Sequence, residues 1–130
     1  MKQVIQCMFI GIFLLASSLS PLGCARSKPK ADPDVARETL RVALDSWKKG
    51  QSADALTEHS PPILITDHEW RGGFTLLEYD VSPKDQLFGP HLRCQVQLSL
   101  QNPKGKTLKK KATYSVGTSR GLTVVREDDD

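Results

Sequence analysis

The stretch HLRCQVQLSL, His91 to Leu100, alternates apolar and polar residues without a break. Leu92, Cys94, Val96, Leu98 and Leu100 fall on one side of an extended chain, and Arg93, Gln95, Gln97 and Ser99 fall on the other. That period of two predicts a strand with one buried face and one wet face. Downstream, Asn102-Pro103-Lys104-Gly105 carries turn residues. Thr107 to Val116 then returns with Leu108, Ala112, Tyr114 and Val116 in the same alternation, so the two runs predict an antiparallel hairpin. Thr118 to Gly121 predicts a further turn and Leu122 to Arg126 a last short strand. Upstream, FTLLEYDV from Phe74 to Val81 predicts the first strand, with Leu77, Tyr79 and Val81 on one face and Phe74 and Leu76 on the other.

Before residue 70 the period is helical. Asp32 is a capping residue, Pro33 suits the first helical position, and Asp34 and Glu38 bring negative charge to the positive end of the helix dipole. Ala36, Leu40, Ala43, Leu44 and Trp47 recur at helical spacing, and Lys48-Lys49-Gly50 closes the segment with cations and a glycine suited to a left-handed cap. Ser52 predicts the cap of a short second helix through Ala53, Ala55 and Leu56, which Pro61-Pro62 brings to a stop. The fold class expected is α+β: one N-terminal helix, plus the short second helix, packed on a curved antiparallel sheet of about four strands.

The beginning of the chain carries a different kind of information. Lys2 gives a positive start, Cys7 to Ala16 (CMFIGIFLLA) is an apolar run too short for a stable span, and Ser17 to Gly23 supplies small residues. Residues 1–23 are expected to be an export signal of the lipoprotein type. Leu22-Gly23-Cys24 resembles the end of a bacterial lipobox, which implies that the Cys24 thiol receives a diacylglyceryl group and, after cleavage, becomes an acylated, palmitate-bearing N-terminus. Gly23-Cys24-Ala25 also fits an ordinary signal-peptidase site cutting before Arg26, which gives a secreted or periplasmic protein instead. Residues 24–31 form the tether, 32–127 a single domain, and 128–130 an acidic tail. Arg26, Lys28 and Lys30 stand where anionic headgroups attract them, and equally suit a solvated linker.

Residues 24–130 are enough for one core and one domain. That part holds 17 basic against 15 acidic side chains, since only Lys2 leaves with the signal. A balance this even excludes the electrostatic footprint of a nucleic-acid binder. Of the three cysteines, Cys7 leaves with the signal and Cys24 is the lipid site, so Cys94 has no partner for a disulfide.

The run Leu44-Asp45-Ser46-Trp47-Lys48-Lys49-Gly50, followed by Ala55-Leu56, resembles the first helix pair of nuclear transport factor 2-like and SnoaL-like domains. Together with Asp67-x-x-Trp70-Arg71-x-Gly73, the Trp47 to Gly50 pattern is also similar to small exported planctomycete lipoproteins. The helix-on-sheet outline resembles that of cystatins. The inhibitory Gln-x-Val-x-Gly hairpin of that family is absent, because Gln95-Val96-Gln97-Leu98 lacks the glycine. The SnoaL-like resemblance implies a small-molecule or enzymatic pocket between helix and sheet, lined by Trp47, Tyr79 and Tyr114, with His91 or Asp67 at its mouth.

The residues themselves point elsewhere. Cys94 sits between Leu92 and Val96 on the inward face, where cysteine acts as a small hydrophobe rather than a nucleophile. His59, His68 and His91, taken with Asp67 and Glu69, show no metal-ligand spacing and read as surface histidines. Neither a catalytic residue nor a metal or other cofactor is assigned. The densest cluster of functional residue types, Asp67 to Gly73, reads either as a loop presenting Trp70 to a partner or as a core cap in which Arg71 pairs with Asp67. The binding residues put forward are Asp67, Trp70, Arg71, Tyr79 and His91. Lys104, Lys106, Lys109, Lys110 and Lys111 give the hairpin a basic tip, suited to anionic lipid or wall polymer or simply to protecting a strand edge. The expectation is an envelope protein tethered to a membrane through Cys24, which binds an envelope protein or a small ligand without catalysis.

Overall fold

The computed structural model describes residues 30–127. The expected signal at 1–23, the lipid site Cys24, the first tether residues 25–29 and the tail at 128–130 lie outside the described residues.

Helix α1, Pro33–Lys48, begins where the cap chemistry puts it. The Asp32 carboxylate accepts from the N–H groups of Asp34 and Val35 at 3.0 and 3.2 Å. Ala36, Leu40, Ala43, Leu44 and Trp47 are all buried, and Thr39 joins them by donating its hydroxyl to the Val35 carbonyl at 2.7 Å. Gly50 takes the left-handed conformation at φ +86°. Because α1 starts 32 residues into the chain, it opens the folded domain and is not N-terminal in the chain. A 3₁₀ helix, Ala53–Glu58, follows, with the Ser52 hydroxyl accepting from the Ala55 N–H at 3.2 Å.

The remaining elements are β1 (Ile63–Thr66), α2 (His68–Arg71), β2 (Thr75–Val81), β3 (Gln86–Phe88), β4 (His91–Gln101), β5 (Thr107–Gly117) and β6 (Leu122–Glu127). The sheet order is β1-β6-β5-β4-β2, with β3 also paired to β4 beside its first residues. The expectation of about four antiparallel strands is therefore corrected to six in a mixed sheet, because β1 runs parallel to β6. Strand β1 has only four residues and follows two prolines, which is too short for its alternation to register; Ile63 and Ile65 nonetheless point in while Leu64 and Thr66 point out. All three residues of β3 are exposed, so no apolar face marks it. Helix α1 touches β1, β2, β5 and β6, so the sheet curls around it.

Strand β2 also departs from simple alternation. Leu76 lies opposite Leu100 and Glu78 opposite Ser99, which makes Leu77 the extra residue of a β-bulge. The bulge brings Leu76 onto the same face as Tyr79 and Val81, across from Leu100, Leu98 and Val96, and turns Leu77 outward. The expected pairing of Leu77 with Tyr79 and Val81 is overturned for that reason. The domain has two distinct ends. At one, the Ala31 N–H donates to the Gly89 carbonyl at 3.1 Å and the Asp32 N–H to the Thr118 hydroxyl at 2.9 Å. The Asn102–Lys106 hairpin tip lies at the other.

Candidate functional site

Asp67 follows β1 and caps the single turn of α2, accepting from the N–H groups of Glu69 and Trp70 at 3.0 and 3.2 Å. The segment read as a loop is thus a short helix, and Asp67 is buried, not presented. Its carboxylate also accepts from the Tyr114 hydroxyl at 2.6 Å and from Arg126 at 3.3 Å. Arg126 in turn donates to Glu69 at 2.5 Å, and the Lys110 ammonium stands 3.5 Å from the same Glu69 oxygen. The side chains of Asp67, Glu69 and Arg126 are 0%, 6% and 3% exposed, so two anions and one fixed cation are locked inside the fold.

The register explains how these groups meet. Tyr114 on β5 is the direct cross-strand partner of Arg126 on β6, and the guanidinium lies 5.7 Å above the Tyr114 ring. Burial raises the Tyr114 hydroxyl well above its ordinary value, and the neighbouring Asp67 charge adds to the shift. Burial opposes the Arg126 charge, yet Tyr114, Glu69 and Asp67 together keep its pKa above the usual arginine value. Of the binding residues put forward, only Asp67 contributes its side chain to this cluster; Tyr114 is expected as a pocket wall and Glu69 is weighed only with the histidines, while Arg126 is not put forward at all. The signal for Arg126 was its parity, since it shares the inward face of β6 with Val124.

Arg71 does not pair with Asp67. It donates to Asp54 at 2.9 Å and to the Ile65 carbonyl at 2.9 Å, because Asp67 is already saturated from the interior. Trp70 is 7% exposed and stacks on Trp47 with ring centroids 5.2 Å apart, while its indole N–H donates to the Gln51 carbonyl at 2.9 Å. Trp47 closes the same corner by donating to the Phe74 carbonyl at 2.8 Å. Of the two readings of Asp67 to Gly73, these contacts favour the core cap, although the Arg71–Asp67 pair it included does not form.

Tyr79 lies apart from this cluster. Its hydroxyl donates to Asp45 at 2.6 Å, and its pKa is pushed up to about 12, first by burial and then by that hydrogen bond. It borders an open groove of about 480 Å³ shared with Arg37, Arg41, Val81, Pro83 and Asp85. Arg37 grips Asp85 through two nitrogens at 2.7 and 3.1 Å, which holds the Asp85 carboxyl below its ordinary range. His91 is exposed at the start of β4, in a recess with Arg120 and Thr123. Trp47 and Tyr114 are enclosed in the core, so the structure does not bring Trp47, Tyr79, Tyr114, His91 and Asp67 together around one pocket.

Cys94 is fully buried, and burial pushes its thiol up to about 11, with Asp85 adding a smaller push. Between α1 and the β1–β6 edge lies a groove of about 410 Å³ whose walls are Val35, Thr39, Val42, Pro61, Ile63 and Leu122. Asp34, Glu38 and His59 stand at its rim, with both carboxylates also paired to arginines of α1. No group of His, Cys, Asp and Glu among the described residues is arranged to hold a metal, and no described helix is long and apolar enough to cross a membrane. No protein-family model, curated protein or solved structure matches the chain.

Proposed function

We propose that the chain is a lipid-anchored envelope protein whose α+β domain binds a ligand or partner without catalysing a reaction. The observation that carries this reading is the way Asp67 is used: with Glu69, Tyr114 and Arg126 it is spent on holding α2, β5 and β6 together. Cys94, with its raised thiol pKa, is committed to the core in the same sense. The apolar groove beside Val35 and Val42 is open instead, and its volume falls in the range of small-molecule sites. Carbon-rich walls with few polar groups suit an apolar moiety of modest size. The anchor is inferred from Leu22-Gly23-Cys24 and the apolar run before it.

Two measurements test the two halves. Feeding cells an alkynyl palmitate labels the wild-type chain and leaves Cys24→Ser unlabelled if the anchor is real; equal labelling of both chains, or of neither, refutes it. Native mass spectrometry of the chain recovered gently from the envelope reports a reproducible added mass or a co-purifying protein. Val42→Asp, which puts a charge on the groove wall, is expected to remove it. Retention of the same mass by a folded Val42→Asp chain rules out the groove as the binding place.

A further inference from the structure

We propose that the end of the domain formed by the β3–β4 hairpin and the β5–β6 turn is a membrane-contacting face, seated in the interfacial zone of the bilayer that holds Cys24. This inference rests on the lipid-anchor reading and adds to it an orientation. Its starting point is where the chain enters the domain. Ala31 is hydrogen-bonded to Gly89 in the β3–β4 hairpin and Asp32 to Thr118 at the β5–β6 turn, so both loops surround the point at which the tether arrives.

The surface there has an interfacial composition. Leu87 and Phe88 are 45% and 52% exposed on adjacent residues, and Pro90 follows them at the hairpin turn. The Arg93 guanidinium lies 5.2 Å over the Phe88 ring, which places a cation directly against the exposed aromatic. Arg120 in the β5–β6 turn and Lys30 before the first contact are exposed. Leu87 and Phe88, on opposite faces of β3, give the hairpin end an apolar group on each side, and with the flanking cations that end suits the boundary between acyl chains and headgroups. Asp32, Asp34 and Asp85 are the nearby anions: the Asp32 carboxylate caps α1, Asp34 and Asp85 share Arg37, and Glu127 is paired with Arg93.

Tether length limits which end can face the bilayer. Seven residues from Cys24 to Ala31 span at most about 25 Å when fully extended. Strand β4 rises by about 33 Å between His91 and Gln101, before the lysine-rich tip is even reached. An upright inverted domain would hold Ala31 farther from the bilayer than the tether extends. The Asn102–Lys106 tip therefore cannot seat on the anchoring bilayer in an upright domain, and the Leu87–Phe88 end, where the tether arrives, stands nearest to it.

The test uses the chain from Cys24 onward, which contains every described residue, coupled through the Cys24 thiol to a maleimide lipid in vesicles. Cys94 is buried and does not compete for the maleimide. Phe88→Trp and, separately, Leu87→Trp report contact with brominated acyl chains, against Leu77→Trp on the exposed bulge near the other end of β4. The expected result is at least about twofold quenching at 87 or 88, consistent with shallow interfacial burial, and none at 77. Trp47 and Trp70 are buried and contribute a constant background. No quenching at 87 or 88 in folded chains, equal quenching at 77, or a blue shift without quenching that signals burial against protein each overturns the proposal. Because the lipid is attached chemically, such a failure concerns the face alone. Absence of palmitate labelling in cells, by contrast, refutes the anchor.

Discussion

Replacing Arg126 with methionine tests whether the buried charge cluster holds the domain together. The guanidinium is 3% exposed and serves Asp67 and Glu69, whose side chains are 0% and 6% exposed. Breaking a buried ion pair by removing one partner costs about 3–5 kcal/mol, because the surviving charge has neither water nor a counter-ion. The lower part of that range applies here. Asp67 keeps the Tyr114 hydroxyl and two backbone N–H groups, and Glu69 keeps Lys110. A loss of about 3 kcal/mol is a large share of the roughly 5–15 kcal/mol typical of a domain. In urea, at a slope of about 1–3 kcal/mol per molar, the midpoint of Arg126→Met falls by about 1–3 M. Adding Glu69→Gln to Arg126→Met removes one stranded anion and is expected to recover part of the loss. A single-variant loss under about 1 kcal/mol, the scale of an exposed pair, would refute the idea that this cluster is a buried structural element.

Trp70→Ala empties one side of the stack with Trp47 and removes the bond to the Gln51 carbonyl, so a loss of about 3–5 kcal/mol is expected in thermal or urea unfolding. A fully stable Trp70→Ala chain would return Trp70 to the surface role. Cys94 is expected to resist a thiol reagent in the folded chain at neutral pH and to react at once in denaturant, and fast labelling without denaturant contradicts its burial. The pH dependence follows from the direction of each shift. Asp85 and Glu127 are held low by Arg37 and Arg93, so their contribution is present above the ordinary carboxylate range near about pH 4 and is lost as pH falls through their lowered folded values. Arg37→Gln should flatten that acid limb in a series of melts, and an unchanged limb argues against the pair. The thiol and phenol shifts act in the opposite sense. Cys94 and Tyr79 are raised, so their contribution is intact at neutral pH and is lost once the unfolded groups ionise, above about pH 9–10.

The fold was legible wherever an element was long enough to repeat its period. Five apolar residues at helical spacing marked the inward face of α1, and five at alternate positions marked β4. Thr39 escaped because a β-branched polar residue looks solvent-facing until its hydroxyl is seen to satisfy the Val35 carbonyl. Strand β1 escaped because its four residues complete only two cycles of alternation, and its stability comes from the distant β6. The bulge at Leu77 is a different kind of omission. A run such as Thr75-Leu76-Leu77-Glu78-Tyr79 carries apolar residues of both parities, and only the opposing strand selects which leucine is set aside. Leu100 and Leu98 make that selection by pairing with Leu76 and Tyr79.

The site was harder to read, for a reason that lies in the charges. Asp67, Trp70 and Arg71 look like recognition residues because charged and aromatic types crowd into five positions, but density in sequence does not tell whether such groups face water or each other. The deciding information sat about 60 residues away, in a single arginine at an inward position of β6. A strand whose apolar face is interrupted by a permanent cation must bury a counter-charge with it, since desolvating a lone guanidinium is prohibitive. Glu69 and Asp67 supply that charge, and Lys110, inward on β5 between Leu108 and Ala112, offsets the second anion. Read this way, Arg126 and Lys110 predict a buried acidic pair elsewhere in the chain, and Asp67-x-Glu69 beside an aromatic is the segment that answers them. The cluster's acids are then structural. On the proposed reading, specificity is left to surfaces this framework holds in place: the groove along α1 and the hairpin end where the tether arrives.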